Sequence, residues 1–443
     1  MKRFSLALCL LFACAGPRGA GPGAAELAKP IEQGVTELDA DGLRVLVKRI
    51  PHQQLVAAQL YIEGGVRNWT AENAGVERLA LATAVEGGAL DLAGPAFHRK
   101  LAALGSQLGA DSGEDFSVVA VKSLLSRWKP SCDLMADALL HPALPDDEIE
   151  VERQLQLSAL RQEDEDPDAQ LAVLSHELFY RGLPGANRAL GTPATVAKLT
   201  RAQLTKHLDA LRQKSRWLLV VVGDVDPSDV EGWAKQAFAS VPRGEWTPLP
   251  LESPHFDAPK LQVVDRQLPT TYVMASFPAP TWRDPNLAVA AVAMNVLKEE
   301  LFEEVRTKRE LSYAPAAGLA LGDTGEGFLY VTAEDPNTTY RVMLDVLRSI
   351  EDGHVAPVAL EGDKRVFLTH FLMRDEATDG QAQLLGQAEI LGGDWRVAGA
   401  LIDRVRTVTV PEVAAFLKAH AKDLQTVVLG PAGRIDPKLF GST

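Results

Sequence analysis

The chain of 443 residues is longer than one hydrophobic core usually supports, so the sequence predicts at least two domains. Hydrophobic residues make up 46% and charged residues 23% of the chain, which is typical of a globular protein. The formal net charge of −14 and the lack of basic runs argue against nucleic acid or an anionic membrane surface as a partner, because both require a basic patch.

The first residues have the pattern of an export signal. A short basic segment, MKR, precedes the apolar run FSLALCLLFA, which is too short to span a bilayer. The run ends in LFAC, which resembles a bacterial lipoprotein signal in which Cys14 is lipidated; an ordinary leader cleaved a few residues later is the alternative. Residues 1–25 are therefore predicted to be a signal and a flexible tether, and the protein to be periplasmic and anchored by lipid to the outer membrane.

The remainder of the chain is predicted to be a duplication. Two strands joined by a turn, LRVLVKRI and LVAAQLYI, recur without a gap at residues 261–277. Each half also closes with an amphipathic helix and an apolar strand, at 199–227 and 408–437, and Thr200 and Thr409 stand where helix N-caps belong. A repeat of this length indicates two tandem domains.

A proline-rich segment, 242–260, shows no apolar periodicity and is predicted to be a linker. We therefore predict a first domain over residues 26–241 and a second over 261–443. Long helical runs such as 146–166 and 337–353 accompany the strands. The predicted fold class is α+β, with two tandem homologous α/β sandwich domains and helices on one face of each sheet.

The sequence offers no recognisable catalytic site. No two of the nine histidines lie three to five residues apart, so no helix presents a histidine pair to a metal. The usual motifs of serine nucleophiles and phosphate-binding loops are also missing. Cys132 is predicted to be a small apolar helix residue that forms no disulfide, and the acidic run 163–170 to be a solvated helix end rather than a calcium site.

The order and spacing of the remaining motifs resemble the pitrilysin/insulinase family of zinc peptidases, which includes mitochondrial processing peptidase and its non-catalytic subunits. The resemblance covers essentially the whole mature chain and implies the duplicated fold of that family. It is carried by DGLRVLV (41–47), AGVERLALATAVEGGA (74–89), ALGSQLGADSGEDFS (103–117), LLHPALPDDEIEVERQLQLSALRQEDEDP (139–167), ALGTPATVAKLTRAQL (189–204) and LFEEVRTKRELSYAPA (301–316).

Active members of that family carry H-x-x-E-H on the helix that corresponds to residues 74–89. The two histidine positions fall on Arg78 and Ala82, and the glutamate position falls on Leu81. The third zinc ligand of the family is a glutamate shortly after a Glu-Arg pair, and its position falls on Ser158 or Ala159. None of these side chains suits zinc, so the resemblance implies a chain without a cofactor, with zinc expected only in a partner subunit.

A second family feature is present, an arginine seven residues before a tyrosine. Arg306 and Tyr313 match residues that, in the family, hold the substrate backbone and stabilise the oxyanion opposite the zinc. A guanidinium fork and a phenolic O–H both suit a carbonyl that develops negative charge. The alternative is a solvated helix residue at 306 and a core strand residue at 313, and the Gly/Ser-rich loop usual before this helix is missing.

The sequence therefore predicts a zinc-less subunit that is inactive alone. It would pair with a homologous subunit carrying H-x-x-E-H to form a metallopeptidase for peptides or small unfolded proteins, and it would contribute substrate-binding residues. Two alternatives stay open. One is a non-proteolytic peptide-binding or scaffold protein of the same fold, and the other is a peptidase with an unrecognised site.

Overall fold

The computed structural model describes residues 31–249, 252–374 and 376–441, and its first half is built around one mixed sheet. The strands of this half are β1 (Val35–Ala40), β2 (Leu43–Arg49), β3 (Leu55–Glu63), β4 (Gly88–Ala89), β5 (Leu92–Ala93), β6 (Gln107–Ser112), β7 (Phe116–Leu124) and β8 (Trp217–Gly223). Its helices are α1 (Val76–Gly87), α2 (Pro95–Leu104), α3 (Trp128–Leu140), α4 (Asp146–Glu165), α5 (Pro167–Phe179), α6 (Pro193–Val196), α7 (Arg201–Leu211) and α8 (Pro227–Ala237).

A second mixed sheet organises the second half. Its strands are β9 (Lys260–Asp265), β10 (Thr271–Ala279), β11 (Ala316–Leu321), β12 (Gly325–Ala333) and β13 (Gln425–Gly430). Its helices are α9 (Leu287–Leu301), α10 (Pro336–Glu351), α11 (Pro357–Arg374), α12 (Thr378–Gly392), α13 (Val397–Thr407), α14 (Val410–His420) and α15 (Pro437–Phe440). A π-helical turn, Phe302–Thr307, continues α9.

The two sheets have the same topology. The strand order is β2-β8-β3-β7-β6 in the first and β9-β13-β10-β12-β11 in the second, with β1 added at one edge of the first. In each sheet the closing strand, β8 or β13, runs parallel to one neighbour and antiparallel to the other. Thr200 and Thr409 begin α7 and α14 in matching capping boxes. The predicted duplication and the predicted fold class are confirmed.

Each half has its own core on one face of its sheet. In the first half, Leu60, Ile62 and Leu219 pack against buried side chains of α1, α3, α7 and α8. In the second half, Val273 and Val331 pack against α9, α10 and α14. Cys132 lies buried on α3 as a small apolar residue, as predicted, and burial raises the pKa of its thiol.

The opposite face of each sheet is covered by a helix from the other half. Helix α12 of the second half packs on β3 and β8, and α5 of the first half packs on β10 and β13. The sequence predicted helices on one face of each sheet, which each half supplies for itself, but it did not predict this second cover from the other half. The physical reason is that β8 and β13 are buried along their whole length, so both faces of each sheet present apolar side chains that need cover.

Polar contacts fix α12 and α5, the two helices that each pack on the sheet of the other half. Under α12, the Gln59 amide donates to the Asp379 carbonyl at 3.1 Å, and the Lys122 ammonium lies 2.9 Å from the Asp379 carboxylate. Under α5, the hydroxyls of Ser175 and Ser276 lie 3.0 Å apart. Each contact joins residues of opposite halves, so the two halves form one packed unit.

The segment predicted to be a linker, 242–260, contains no helix or strand in its described parts except Lys260, which begins β9. It is nevertheless packed: Arg216 lies 4.9 Å above the Trp246 ring, and the Phe256 ring contacts Phe179. The predicted signal, including Cys14, lies outside the described residues. None of the helices that the structure describes combines the length and the apolar character needed to cross a bilayer.

The corresponding β-turns of the two halves meet at a charged junction. The Asp323 N–H, in the β11–β12 turn, donates to the Asp115 carboxylate, in the β6–β7 turn, at 3.1 Å. Arg67 forms an ion pair with the Asp323 carboxylate. A hydrogen bond joins the hydroxyls of Tyr180 and Thr324. Burial, together with the negative charge of Asp323, raises the pKa of Asp115 to about 6, although the Asp323 N–H and Arg67 oppose the shift.

Asp115 should make the stability of the protein depend on pH. The folded state binds its proton more tightly than the unfolded chain does, so the charged carboxyl destabilises the fold above about pH 6, and this cost disappears as the pH falls toward about 4. We expect Asp115→Asn to flatten this part of the pH profile of the unfolding free energy, measured by urea denaturation with tryptophan fluorescence. Asp91→Asn, on an exposed turn, is the control, and equal profiles for the two variants would contradict the prediction.

Candidate functional site

Helix α1 and helix α4, which carry the positions corresponding to zinc ligands, are tied together at the start of α1. Gly75 precedes α1 with a φ of 88°, a left-handed conformation that favours glycine. The Gln156 amide of α4 donates to the Gly75 carbonyl at 3.1 Å and to the Leu190 carbonyl at 2.9 Å. A side chain at position 75 would place its Cβ atom 2.8 Å from the Gln156 amide nitrogen, which is too close. Glycine therefore also leaves the space that the Gln156 amide needs.

The side chains at these positions do not fit zinc. The Arg78 guanidinium, which is cationic, donates to the Asp111 carboxylate of β6 at 2.8 Å, and Leu81 is only 1% exposed within the first core. The other three positions are partly exposed and present to a metal only two methyl groups and one hydroxyl, from Ala82, Ala159 and Ser158. Across the residues that the structure describes, no group of three or more His, Cys, Asp or Glu is arranged to hold a metal.

A buried carboxylate stands beside these positions and was missed by the sequence analysis. Glu77 is 1% exposed; one carboxylate oxygen lies 2.9 Å from His207 Nε2, and the other accepts a hydrogen bond from Ser117. Burial alone would raise the pKa of Glu77, but the hydrogen bond and charge of His207, the Ser117 hydroxyl and the charge of Arg216 outweigh burial and hold the pKa below its usual range. The sequence signal that could have identified this buried carboxylate is a charged residue at a position of α1 where the helical pattern calls for an apolar one.

The Glu77 cluster has a structural rather than a nucleophilic arrangement. The serine bonds to the carboxylate and not to the imidazole, and the lowered pKa of Glu77 makes that carboxylate a poor base for activating a hydroxyl. The cluster instead joins α1, β7 and α7 through groups that satisfy one another. Because its carboxylate oxygens are hydrogen-bonded, the charged Glu77 side chain can lie among the apolar side chains that pack around α1.

Arg306 and Tyr313 are brought together at the surface by the π-helical turn after α9. The Arg306 Cζ atom lies 4.8 Å from the centroid of the Phe302 ring and 6.0 Å from that of the Tyr313 ring. Tyr313 is 86% exposed and precedes β11, so it is not a core strand residue. Within the described chain, no hydrogen bond or ion pair links either residue to α1. Single π-helical turns of this kind are frequent at functional sites.

Sequence comparison finds similar proteins among peptidases and among subunits of a respiratory complex. An uncharacterised zinc protease of Mycobacterium tuberculosis is 26% identical over 409 residues, which are 88% of this chain and 92% of that protein. The beta subunit of the mitochondrial-processing peptidase of Saccharomyces cerevisiae is 23% identical over 262 residues, 58% of this chain and 56% of that protein. Subunit 1 of the mitochondrial cytochrome b-c1 complex of Mus musculus is 26% identical over 286 residues, 63% of this chain and 58% of that protein.

Solved structures share the fold over nearly the whole chain. A peptidase M16 inactive domain from Pseudomonas fluorescens superposes with a TM-score of 0.81 at 20% identity, covering 90% of this chain and 98% of that one. A protease from Helicobacter pylori gives 0.82 at 17% identity, covering 90% and 99% of the two chains. These likenesses support the fold alone.

Two family models match successive parts of the sequence. Residues 44–193 match the model of the insulinase family, peptidase family M16, and residues 198–365 match the peptidase M16 inactive domain. The first range contains α1 and α4, and the second contains the turn that carries Arg306. The chain therefore belongs to the pitrilysin/insulinase family of peptidases, family M16, and carries no H-x-x-E-H motif.

Proposed function

We propose that this chain is a zinc-less subunit that pairs with a homologous, H-x-x-E-H-bearing subunit to form a metallopeptidase for peptides or small unfolded proteins. In this pair the zinc belongs to the partner alone, and this chain supplies Arg306 and Tyr313 to the substrate. The observation that carries the proposal is the exposed Arg306–Tyr313 pair on the π-helical turn.

The chemistry of the pair suits a substrate that arrives from outside the chain. Within the part of the chain that the structure describes, the exposed Arg306 side chain makes only ring contacts, and the Tyr313 hydroxyl lies on a ring that is almost fully exposed. Both groups are therefore available to a peptide carbonyl that a partner holds in place.

The vacated zinc positions support a division of labour between two subunits. Arg78 would repel a metal cation, and Leu81 contributes to the core rather than to a site. Two relatives named above, the processing-peptidase beta subunit and the cytochrome b-c1 subunit, are by name subunits of larger assemblies. A chain that keeps the fold but cannot hold the metal is suited to such a role.

The second candidate is a peptide-binding or scaffold protein of the same fold without proteolysis. The similarity to a cytochrome b-c1 complex subunit, whose name describes no peptidase, favours it. In this case Arg306 and Tyr313 would contact a bound segment or nothing at all, and no catalytic rate would depend on them.

Substitution of Arg306 and Tyr313 separates the two candidates. If they contact the scissile carbonyl, Arg306→Ala and Tyr313→Phe should each lower the turnover of the mixed complex by about 10²–10³-fold, the usual effect of removing one oxyanion donor. Tyr313→Phe keeps the ring and removes only the hydroxyl. The measurement is hydrolysis of an unstructured peptide after co-purification with the partner.

Arg309→Ala is the matched control for Arg306→Ala. Arg309 lies just after the same turn, is exposed and pairs with Glu304, so its loss changes the surface charge equally without removing the proposed donor. Turnover that is unchanged in both Arg306→Ala and Tyr313→Phe, with the complex still assembled, would reject the catalytic role and favour the scaffold.

The purified chain should bind no stoichiometric zinc and hydrolyse no peptide. The reason is that Arg78, Leu81, Ala82, Ser158 and Ala159 supply no ligand set for a tetrahedral site. Elemental analysis of the dialysed protein, with a peptidase assay before and after addition of a chelator, measures both properties. One tightly held zinc per chain that is lost together with activity would instead indicate an unrecognised site in this chain.

We further propose that the protein is exported and held at the periplasmic face of the outer membrane by a lipid on Cys14. Cys14→Ala should then move the protein from the membrane fraction to the soluble periplasmic fraction, because an apolar run of this length cannot anchor it otherwise. Fractionation followed by immunodetection measures the shift. A wild-type protein that is already soluble and carries no lipid would exclude the anchor.

A further inference from the structure

Phe302 lies beneath the guanidinium of Arg306. It begins the π-helical turn, four residues before the arginine, and the Arg306 Cζ atom lies 4.8 Å from the centroid of its ring. The Tyr313 ring is farther from the same atom, at 6.0 Å. A cation within about 6 Å of an aromatic centroid is attracted by the electron-rich face of the ring. Phe302 therefore makes the closer of the two ring contacts of this guanidinium.

The core fixes the backbone of the turn but not the Arg306 side chain. Leu301 and Val305, which directly precede the two residues of this contact, are both 0% exposed. The Leu311 N–H donates to the Val305 carbonyl at 2.9 Å and closes the loop that follows the turn. Arg306, in contrast, extends into solvent, where a long side chain has many rotamers open to it. Its ring contacts are what restrict its direction.

A ring contact leaves the hydrogen-bond donors of Arg306 available. An aromatic ring attracts the cation without the carboxylate or carbonyl oxygens that would occupy its N–H groups. Both acids of the turn pair with other cations: the Glu304 carboxylate accepts from Lys308 at 2.7 Å and also from Arg309, and Glu303 lies 3.9 Å from Lys308. The side chain is thus held by a partner that does not compete with a peptide carbonyl.

We propose that Phe302 is a positioning residue that holds the Arg306 guanidinium beside Tyr313, so that both donors are directed at one substrate carbonyl. The inference rests on the proposed function, because that carbonyl belongs to the peptide which Arg306 and Tyr313 contact. Phe302 acts through Arg306 and need not touch the peptide. A donor that is already directed at the reacting carbonyl loses less freedom when the substrate binds, and it therefore stabilises the oxyanion more effectively. Any aromatic ring at position 302 should serve, whereas an aliphatic side chain should not.

NMR of the arginine side chains tests the contact in the purified chain, without partner or substrate. Protons over the face of an aromatic ring resonate upfield, so the Arg306 Hδ and Hε signals, assigned by their loss in Arg306→Ala, should lie upfield of those of the exposed Arg309. Phe302→Leu should remove most of this shift, and Tyr313→Leu should remove less, because its ring is farther away. Arg306 signals that show no upfield shift, or the same shift in Phe302→Leu, would overturn the proposal.

Turnover of the mixed complex tests the role. Phe302→Leu should lower kcat about twofold to fivefold with little change in KM, the size expected from loss of a cation–π contact at an exposed site. Phe302→Tyr and Phe302→Trp should keep the wild-type kcat, because both rings attract a cation at least as well. A role in packing alone predicts a different order, in which the bulky tryptophan is the worst variant. That order, or an unchanged kcat in Phe302→Leu, would reject the positioning role.

The double variant Phe302→Leu/Arg306→Ala separates positioning from packing. If Phe302 acts through Arg306, its loss should have no further effect once the guanidinium is gone, whereas independent damage would multiply the two losses. Phe367→Leu is the matched control, because Phe367 is half-buried on α11 in the same half of the chain and should leave kcat unchanged. If Phe302→Leu fails to fold, Phe302→Met supplies the non-aromatic comparison.

Failure of the proposed function gives a different result from failure of this inference. Turnover that ignores Arg306 would reject the proposed function, and the catalytic role of Phe302 with it, while the upfield Arg306 signals persist. Turnover that depends on Arg306 but not on the ring at position 302 would reject the role of Phe302 alone.

Discussion

The apolar second face of each sheet is the constraint on which the rest of the molecule depends. The closing strands β8 and β13 are buried on both sides, and burial of such a strand requires cover on both faces of the sheet. Each half supplies cover for one face of its own sheet and one helix for the sheet of the other half. The exchange makes the two halves mutually dependent, because withdrawing α12 or α5 would expose a hydrophobic face to water.

Other interactions occupy the positions of α1 that correspond to zinc ligands in the family. Leu81 fills the first core, and Arg78, a cation at the end of a short apolar helix, is balanced by Asp111 at 2.8 Å. The buried Glu77 remains charged only because His207, Ser117 and Arg216 compensate for the water it has lost. These contacts hold α1 to β6, β7 and α7 and fix the place of the helix in the fold.

The residues of the proposed site lie in the opposite half of the chain from the positions that correspond to zinc ligands. The π-helical turn and the exposed Tyr313 follow one another within a short stretch of sequence. Among the described residues the Arg306 guanidinium makes only ring contacts, and the Tyr313 ring is almost fully exposed. Water satisfies such exposed groups in the free chain, and a bound ligand would take the place of that water.

Much of this architecture could be predicted from the sequence. Apolar periodicity located β2, β3, α1, α4 and α10, and capping residues such as Thr200 and Thr409 located helix starts, because these signals depend only on neighbours along the chain. The spacing of Arg306 and Tyr313 and the absence of ligands on α1 were likewise visible in sequence. The packing of α5 and α12 on the sheet of the other half could not be predicted from the sequence, because an amphipathic helix carries no signal for which sheet it will cover.

The same limit applies to the candidate site. Sequence left Tyr313 equally compatible with a core strand and with an exposed donor, and its environment was decided by the π-helical turn that places it at the surface. Glu77 was a charge within an apolar helix, and only the approach of His207 from α7 and Ser117 from β7 explains it. Sequence by itself thus determined local structure and the chemical types present, whereas the tertiary structure decided which of those groups were paired, because pairing depends on distances between segments far apart in the chain.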